Sequence, residues 1–414
     1  MAKTHVEKYK EDAYNCLHCR LCTFTWAWPN EKGVWPKGSF QPTCPSGEKY
    51  KFEAFYGGGR SWLARAVLEG RVKIDDPSIL DVLYACPTCG SCQQQCTLEE
   101  PEVGYHHRIM NLIEALRADA VQAGLGPLPK HKAFGVHVGK EHNPYLELHK
   151  DRLSWLSPDV MVKLPEKAET VYYVGCTSSY RQKELARATV DVFQKIGLDF
   201  TIMKDEWCCT SPLLRTGQWE TMWVSAKDIA QHNVGEAEKA GAKRIVTTCA
   251  GCFRAWKKDY LEEYADVLNA KHNFEVLHTT QLLDRFLKEG KIKPTKEVKM
   301  RVAFHDPCHL GRHMGEYDAP RNLLKAISGI ELVEMPRTRE NAWCCGSGGG
   351  VKSGYPEWAL EISGERTKEA EALGVDAIVS ACPFCERNLA DAISKYGSKL
   401  KIHDVIELLN QSLG

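Results

Sequence analysis

Four short apolar runs set the pattern of the C-terminal part of the chain. They are Val171-Tyr-Tyr-Val174, Ala242-Lys-Arg-Ile-Val-Thr-Thr248, the run opening at Val302-Ala-Phe304, and Val375-Asp-Ala-Ile-Val-Ser-Ala381. Each is short and β-rich and lies between amphipathic stretches, the signature of parallel strands buried on both faces. Helices are expected at Gln182–Ile196 and Pro356–Leu373, where apolar positions recur at helical spacing. Strand and helix alternate in each half, which predicts small parallel α/β sheets. The N-terminal part reads differently. Ser61 to Gly70 has helical periodicity with a glycine stop, Asp76-Pro77 looks like a cap and first turn, and Glu102 to Ala118 reads as a further helix. Gly57-Gly58-Gly59 is expected to be a turn, not a phosphate loop, since no Lys-Ser or Lys-Thr follows it. The whole is therefore an α+β multidomain chain, divided as 1–120 helical, 121–169 linker, 170–290 and 291–414. The linker carries His131, His137, His142 and His149 among lysines, and these histidines are expected to be solvated.

Composition narrows the function classes. Lys plus Arg and Asp plus Glu both number 54 in 414 residues, so no global field favours nucleic acid or anionic lipid. Met1 to Asp12 has no apolar signal core, and no stretch approaches the roughly 20 apolar residues of a membrane span. The chain is expected in the cytoplasm, reaching a membrane only through a partner. In that reducing compartment close thiol pairs read as metal ligands and not as disulfides.

The 18 cysteines fall into three groups with none left over. Cys16, Cys19 and Cys22 are spaced so that three thiolates on a tight turn reach three corners of one cube. Cys86, Cys89, Cys92 and Cys96 have the bacterial ferredoxin spacing, in which the fourth cysteine serves the other cluster. Cys44-Pro45 is the remote cysteine of the first motif. The crossed assignment is Cys16, Cys19, Cys22 and Cys96 for one cubane [4Fe-4S] cluster, and Cys86, Cys89, Cys92 and Cys44 for the other. Zinc also uses Cys-x2-Cys pairs, but a third cysteine at that spacing favours a cube. The 21 residues between Cys22 and Cys44, with Trp26, Trp28, Trp35, Pro29 and Pro36, replace the three found in ferredoxins. They read as a hydrophobic flap over a cluster or a docking surface for a partner.

The remaining ten cysteines form a repeat. Offsets of 132, 136 and 133 residues relate Cys176 to Cys308, Cys208 to Cys344, and Cys249 to Cys382. Adjacent Cys208-Cys209 and Cys344-Cys345 are hard to fit to one cube, because successive side chains leave the backbone on different sides. The pattern Cys176, Cys208-Cys209, Cys249 and Cys252 resembles the cysteine-rich "CCG" domain. Cys308, Cys344-Cys345-Gly346, Cys382 and Cys385 resembles it more closely, since Thr210 stands where the first copy would have glycine. A ferredoxin-type domain before two such domains is similar to the D-type subunit of heterodisulfide reductase. That resemblance implies an N-terminal helical ferredoxin-like domain and two pseudo-symmetric CCG domains, each five-cysteine set holding a noncubane [4Fe-4S] cluster. The Trp343–Ser353 run fails both nucleotide-loop templates at Val351, so its glycines are expected to let backbone wrap a cluster. His305, His309 and His313 flank Cys308 as structural groups or proton donors.

Two functions fit these ligands. In one, two noncubane clusters facing one cavity cleave a disulfide with electrons from the cubanes. In the other, the four centres relay charge between a flavin, quinone or cytochrome partner and a separate catalytic subunit, as the resemblance to electron-transfer-flavoprotein oxidoreductases, sulfite-reductase-linked complexes and complexes reducing aromatic thioesters also implies. Without a flavin or nicotinamide fingerprint, electrons are expected from another subunit of a larger complex. An open, basic cavity above the CCG sets would favour the first reading, and a cavity plugged by side chains the second.

Overall fold

The computed structural model describes residues 4–25, 40–100 and 105–414. Two four-stranded parallel sheets dominate it. The first consists of Thr170–Tyr172 (β1), Thr201–Ile202 (β2), Arg244–Thr247 (β3) and Glu275–His278 (β4), in the order β2-β1-β3-β4. The second consists of Met300–Phe304 (β5), Ile330–Val333 (β6), Ala377–Ser380 (β7) and Lys401–Asp404 (β8), in the order β6-β5-β7-β8. The repeat of cysteines is thus a repeat of topology. Central strands carry the apolar runs: Val171 pairs with Ile245 and Val302 with Ala377, all four fully buried. The expected helices form as Lys183–Lys195 and Pro356–Glu371. Both β4 and β8 run into helices opened by capping boxes, His278 with Gln281 and Asp404 with Glu407.

The two sheets are locked by an exchange of helices. Val405–Ser412, which follows β8, packs on Lys183–Lys195 of the first repeat. Thr279–Lys288, which follows β4, packs on Asp318–Ala326 of the second. Each repeat therefore ends by covering the first helix of the other, as in an isologous pair.

The N-terminal part is built on the helices Gly57–Leu68 and Ile109–Gln122. The first starts earlier than the periodicity suggested, so the three glycines form its opening turn in place of a separate loop. The second begins at Ile109, not Glu102, because Tyr105–His106 pairs with Glu99–Glu100 as a short antiparallel ladder. Asp76 accepts from the Ser78 N–H at 2.9 Å with Pro77 in the first turn, as expected. The tryptophan-rich insertion with Trp26, Trp28 and Trp35 lies outside the described residues.

One apolar core runs through the N-terminal part and both sheets. The Arg117 guanidinium, fully buried, ties them together: it donates to the carbonyls of Leu83 and Cys86 at 2.8 Å, of Gly349 at 3.0 Å and of Arg215 at 2.5 Å. The 129–141 helix of the linker packs into the same seam. There the expectation of solvated histidines fails. His131 is fully buried with Nε2 2.8 Å from the Gly350 carbonyl, His142 stacks on Trp207, and His137 and His149 are half-buried. The helix keeps Lys130, Lys132 and Lys140 outside, so its polar composition described only its outer face. The glycine run also has a second use: a Cβ on Gly349 would lie 2.3 Å from the Cys86 carbonyl oxygen, and one on Gly348 2.4 Å from that of Pro87.

Gly349 has φ +60°, so a side chain there is both strained and crowded. Gly349→Ala is expected to cost about 3 kcal/mol or more of stability, because backbone must move. Gly397→Ala, at φ +65° with open space around it, should cost only about 1 kcal/mol. Chemical denaturation of both variants beside the parent measures the difference; equal effects would mean that the seam is not tightly closed.

Candidate functional site

None of the eighteen cysteines is joined in a disulfide, and fourteen are buried. The N-terminal eight gather into two sets of four. Cys22 has Cys16, Cys96 and Cys19 as its thiol neighbours, while Cys92 has Cys44, Cys86, Cys22 and Cys89. The two turns use the same device. His18 and Arg20 take left-handed conformations in one, and Thr88 and Gly90 in the other, which curls successive thiols to one side. Cys44 caps the Pro45–Tyr50 helix and accepts from the Gly47 N–H at 3.4 Å. The opening of the Gly57–Leu68 helix passes between the sets. A Cβ at Gly57 would sit 2.5 Å from Cys92 Cβ, and one at Gly58 would sit 3.6 Å from Cys22 Sγ.

The other ten cluster at the carboxyl ends of strands. Cys176 follows β1, Cys249 follows β3, Cys308 follows β5 and Cys382 follows β7, as the sequence predicts for this sheet type. Thr210 and Gly346 occupy equivalent places with φ +67° and +82°, so the threonine adopts the conformation for which glycine is the usual choice. All ten except Cys344 line one partly open cavity of about 360 Å³ between the repeats. Across it, the Cys249 and Cys382 thiols are within hydrogen-bonding reach. Cys344 turns the other way and meets Cys89 of the N-terminal part.

The electrostatics suit a bound cation. Burial pushes Cys22 and Cys44 up to about 12, so these sulfurs carry charge only against a compensating positive group. A hydrogen bond from Cys344, helped by Arg312, draws Cys89 down to about 6 in spite of burial. Cys176 is lowered by Cys208 and by Arg152, whose two terminal nitrogens stand 3.5 and 3.6 Å from its sulfur. Soft, buried thiolates in sets of four and five, with glycine backbone pressed against them, fit iron and sulfur. Gly175 shows the closeness of that fit, since a Cβ there would lie 3.0 Å from Cys252 Sγ.

Of the three histidines near Cys308, only His309 lines the cavity, and burial holds it well below the usual imidazole range, hence neutral. His305 lies instead beside Cys345 and Cys385, their ligand atoms within 4.8 Å of one another, and His313 packs on Gly90. Arg215 lines the cavity but is paired with the buried carboxylates of Glu114 and Asp259. Lys352 reaches Asn388 and Asp391 at 2.6 Å, while Arg387 lies over the Tyr145 ring and pairs with no carboxylate among the described residues. Three contributors escaped the sequence reading: Arg152, Arg312, and His107, whose Nδ1 is 3.1 Å from Cys96 Sγ. None carries a spacing signal, since each reaches its cysteine through the fold.

The cysteine-rich domain family model matches residues 170–256 and 302–390. A solved structure of a hypothetical protein from Helicobacter pylori shares the fold at a TM-score of 0.50 and 10% identity, over 87% of this chain and 68% of that one. The B-type subunit of a fumarate reductase (CoM/CoB) from Methanothermobacter marburgensis is 33% identical over 80% of this chain and 61% of its own length. The D-type subunit of the dihydromethanophenazine:CoB–CoM heterodisulfide reductase from Methanosarcina mazei is 42% identical over 359 residues, 86% of this chain and 84% of that protein. Identity at that level over nearly the full span of both chains makes this protein an iron-sulfur oxidoreductase in the family of D-type heterodisulfide reductase subunits.

Proposed function

We propose that the chain cleaves a disulfide reductively between its two CCG repeats, using electrons that enter at the N-terminal part. In this reading Cys16, Cys19, Cys22 and Cys96 hold one cubane [4Fe-4S] cluster, and Cys44, Cys86, Cys89 and Cys92 the other. Cys176, Cys208, Cys209, Cys249 and Cys252 hold one noncubane [4Fe-4S] cluster, and Cys308, Cys344, Cys345, Cys382 and Cys385 the second. Bound there, the clusters supply one-electron steps and iron with an affinity for sulfur. The observation that carries the reading is the single cavity shared by both five-thiol sets. A disulfide has two sulfur ends, and the pseudo-symmetric walls offer each end an equivalent surface.

The protein's own part is to admit, orient and shield the substrate. Phe134, Tyr145 and Phe384 give the cavity apolar walls, and Arg387 puts positive charge on its lining, while Lys352 is balanced by Asp391. Part of that cavity is the room the clusters themselves would fill, and the Arg387 side chain on its lining supports bond chemistry over a pure relay, which needs no group to recognise a substrate. Cleavage takes two electrons and two protons and yields two thiols, so electrons must arrive singly and in order. The contacts supply an order: Cys22 neighbours Cys92, Cys89 meets Cys344, and Cys382 meets Cys249. The donor is a further redox protein of the complex, a flavoprotein or cytochrome, docking where Cys19, Leu17 and Phe52 are exposed. Among the described residues no helix is long and apolar enough to cross a membrane, so any membrane attachment in this reading belongs to that partner.

Anaerobically purified protein is expected to contain about 16 irons per chain, from four clusters of four. A reproducible value near eight (about half of that), with zinc making up the difference, would overturn the noncubane assignment. Oxidation in the presence of small thiols is expected to give a thiol-dependent paramagnetic signal. Cys209→Ser or Cys345→Ser should abolish both this signal and disulfide turnover while the cubane signals remain reducible. No thiol dependence across a broad panel would favour the relay.

A further inference from the structure

The two five-thiol sites share a topology but not an electrostatic environment, and the difference centres on Arg152. Its side chain comes from the linker, is almost completely buried, and places Nη1 3.6 Å and Nη2 3.5 Å from Cys176 Sγ. Glu206 holds it there at 2.5 Å. That carboxylate is itself fixed by the Val174 and Gly175 N–H groups, at 2.7 and 2.9 Å, on the strand end that delivers Cys176. Arg152 Nε has no hydrogen-bond partner among the described residues. Nη2 also reaches the Trp207 carbonyl at 3.4 Å, so the guanidinium is shared between sulfur, carboxylate and carbonyl at the edge of the first site.

The second repeat cannot build the same device. By the cysteine offsets, Gly175 corresponds to Pro307, which has no N–H to give, and Glu206 corresponds to Ala342, which has no carboxylate. Asp306, in place of Val174, is committed to Arg321 at 2.7 and 2.9 Å. The cation there, Arg312, donates to the carbonyls of Cys89 at 2.9 Å and Ala342 at 2.6 Å and also serves the Cys89 thiol of the N-terminal part, so its charge is shared between that part and the Cys308 and Cys344 side of the second site. The second site has an imidazole instead. His305, where the first repeat has Tyr173, accepts from Arg366 Nε at 3.2 Å through Nδ1, which leaves the hydrogen on Nε2, beside Cys345 and Cys385.

We propose that Arg152 is a positioning residue that raises the reduction potential of the first CCG site above that of the second and makes it the terminal electron acceptor. This rests on the cluster assignment proposed above. Reduction adds one electron to the site, and a charge-assisted N–H···S contact in a water-poor interior stabilises the more negative state. The electron comes from the one-electron donor protein by way of the second site, whose Cys344 meets Cys89 of the N-terminal part. An electron arriving there then passes downhill to the first site.

Redox titration of the complete, iron-loaded protein, followed by electron paramagnetic resonance, tests this. The first-site signal is the one that Cys209→Ser removes. In Arg152→Gln/Glu206→Gln, which avoids an unpaired buried carboxylate, its midpoint is expected to fall by about 59 mV or more, a tenfold change in a one-electron equilibrium. The other three midpoints should not move. Arg152→Lys keeps the charge but not the fork and should give an intermediate value. Should the double variant fail to bind iron, Arg152→Lys decides alone. An unmoved first-site midpoint at full iron content, or equal shifts at both sites, overturns the assignment of Arg152. Parent protein with only about half the expected iron (about eight atoms) and no CCG signal overturns the cluster reading instead.

Discussion

A thiolate removed from water is unstable unless positive charge stands beside it, and this chain buries fourteen of its eighteen sulfurs. Much of the architecture answers that requirement. The sheets bring their strand ends together so that both five-thiol sets share one enclosure, and the Gly57–Leu68 helix begins with three glycines so that backbone passes between the other two sets. Arg152, Arg312 and Arg117 occupy the places where sulfur-bearing loops from different parts of the chain meet. Arginine suits these positions because it stays charged when buried and its fork can serve several acceptors at once.

The same requirement explains why the parts are fused. The proposed electron path needs short gaps between ligand sets, and the thiols that would belong to successive sets lie within contact range, Cys89 with Cys344 and Cys249 with Cys382. Such closeness leaves no room for side chains at the seam. The Gly348-Gly349-Gly350 run meets Cys86, Pro87 and His131 at distances that would exclude even a methyl group. Glycines that look like a cluster wrapping in sequence also act as the bearing surface between domains.

Local features of the fold were legible in the sequence, and contacts made at long range were not. Strands β1, β3, β5 and β7 and the cysteines that end them follow from apolar runs and fixed spacing, both properties of a few neighbouring residues. The expected grouping of Cys44 with Cys86, Cys89 and Cys92 rests on the exchange of a fourth ligand between ferredoxin-type motifs, and the fold brings these four thiols near one another. Arg152 reaches Cys176 only because the linker folds back over β1, and nothing near Asp151-Arg152 announces it. His131 looked solvated because helix composition averages over faces, and the lysines on its outer side dominated the average. The start of the second N-terminal helix was misplaced for a related reason: a two-residue ladder claimed the residues that periodicity had assigned to it.

The exchange of terminal helices bears on how the protein is made. The Lys183–Lys195 helix is packed against by Val405–Ser412, more than two hundred residues later in synthesis. While the ribosome is still producing the second repeat, the first is exposed along that helix and its thiols lie in an unfinished enclosure. Folding of such halves is joint and late, and not one domain after another. In the proposed assignment, delivery of iron and sulfur to the two five-thiol sets therefore belongs after translation, on a chain whose two halves have already closed on each other.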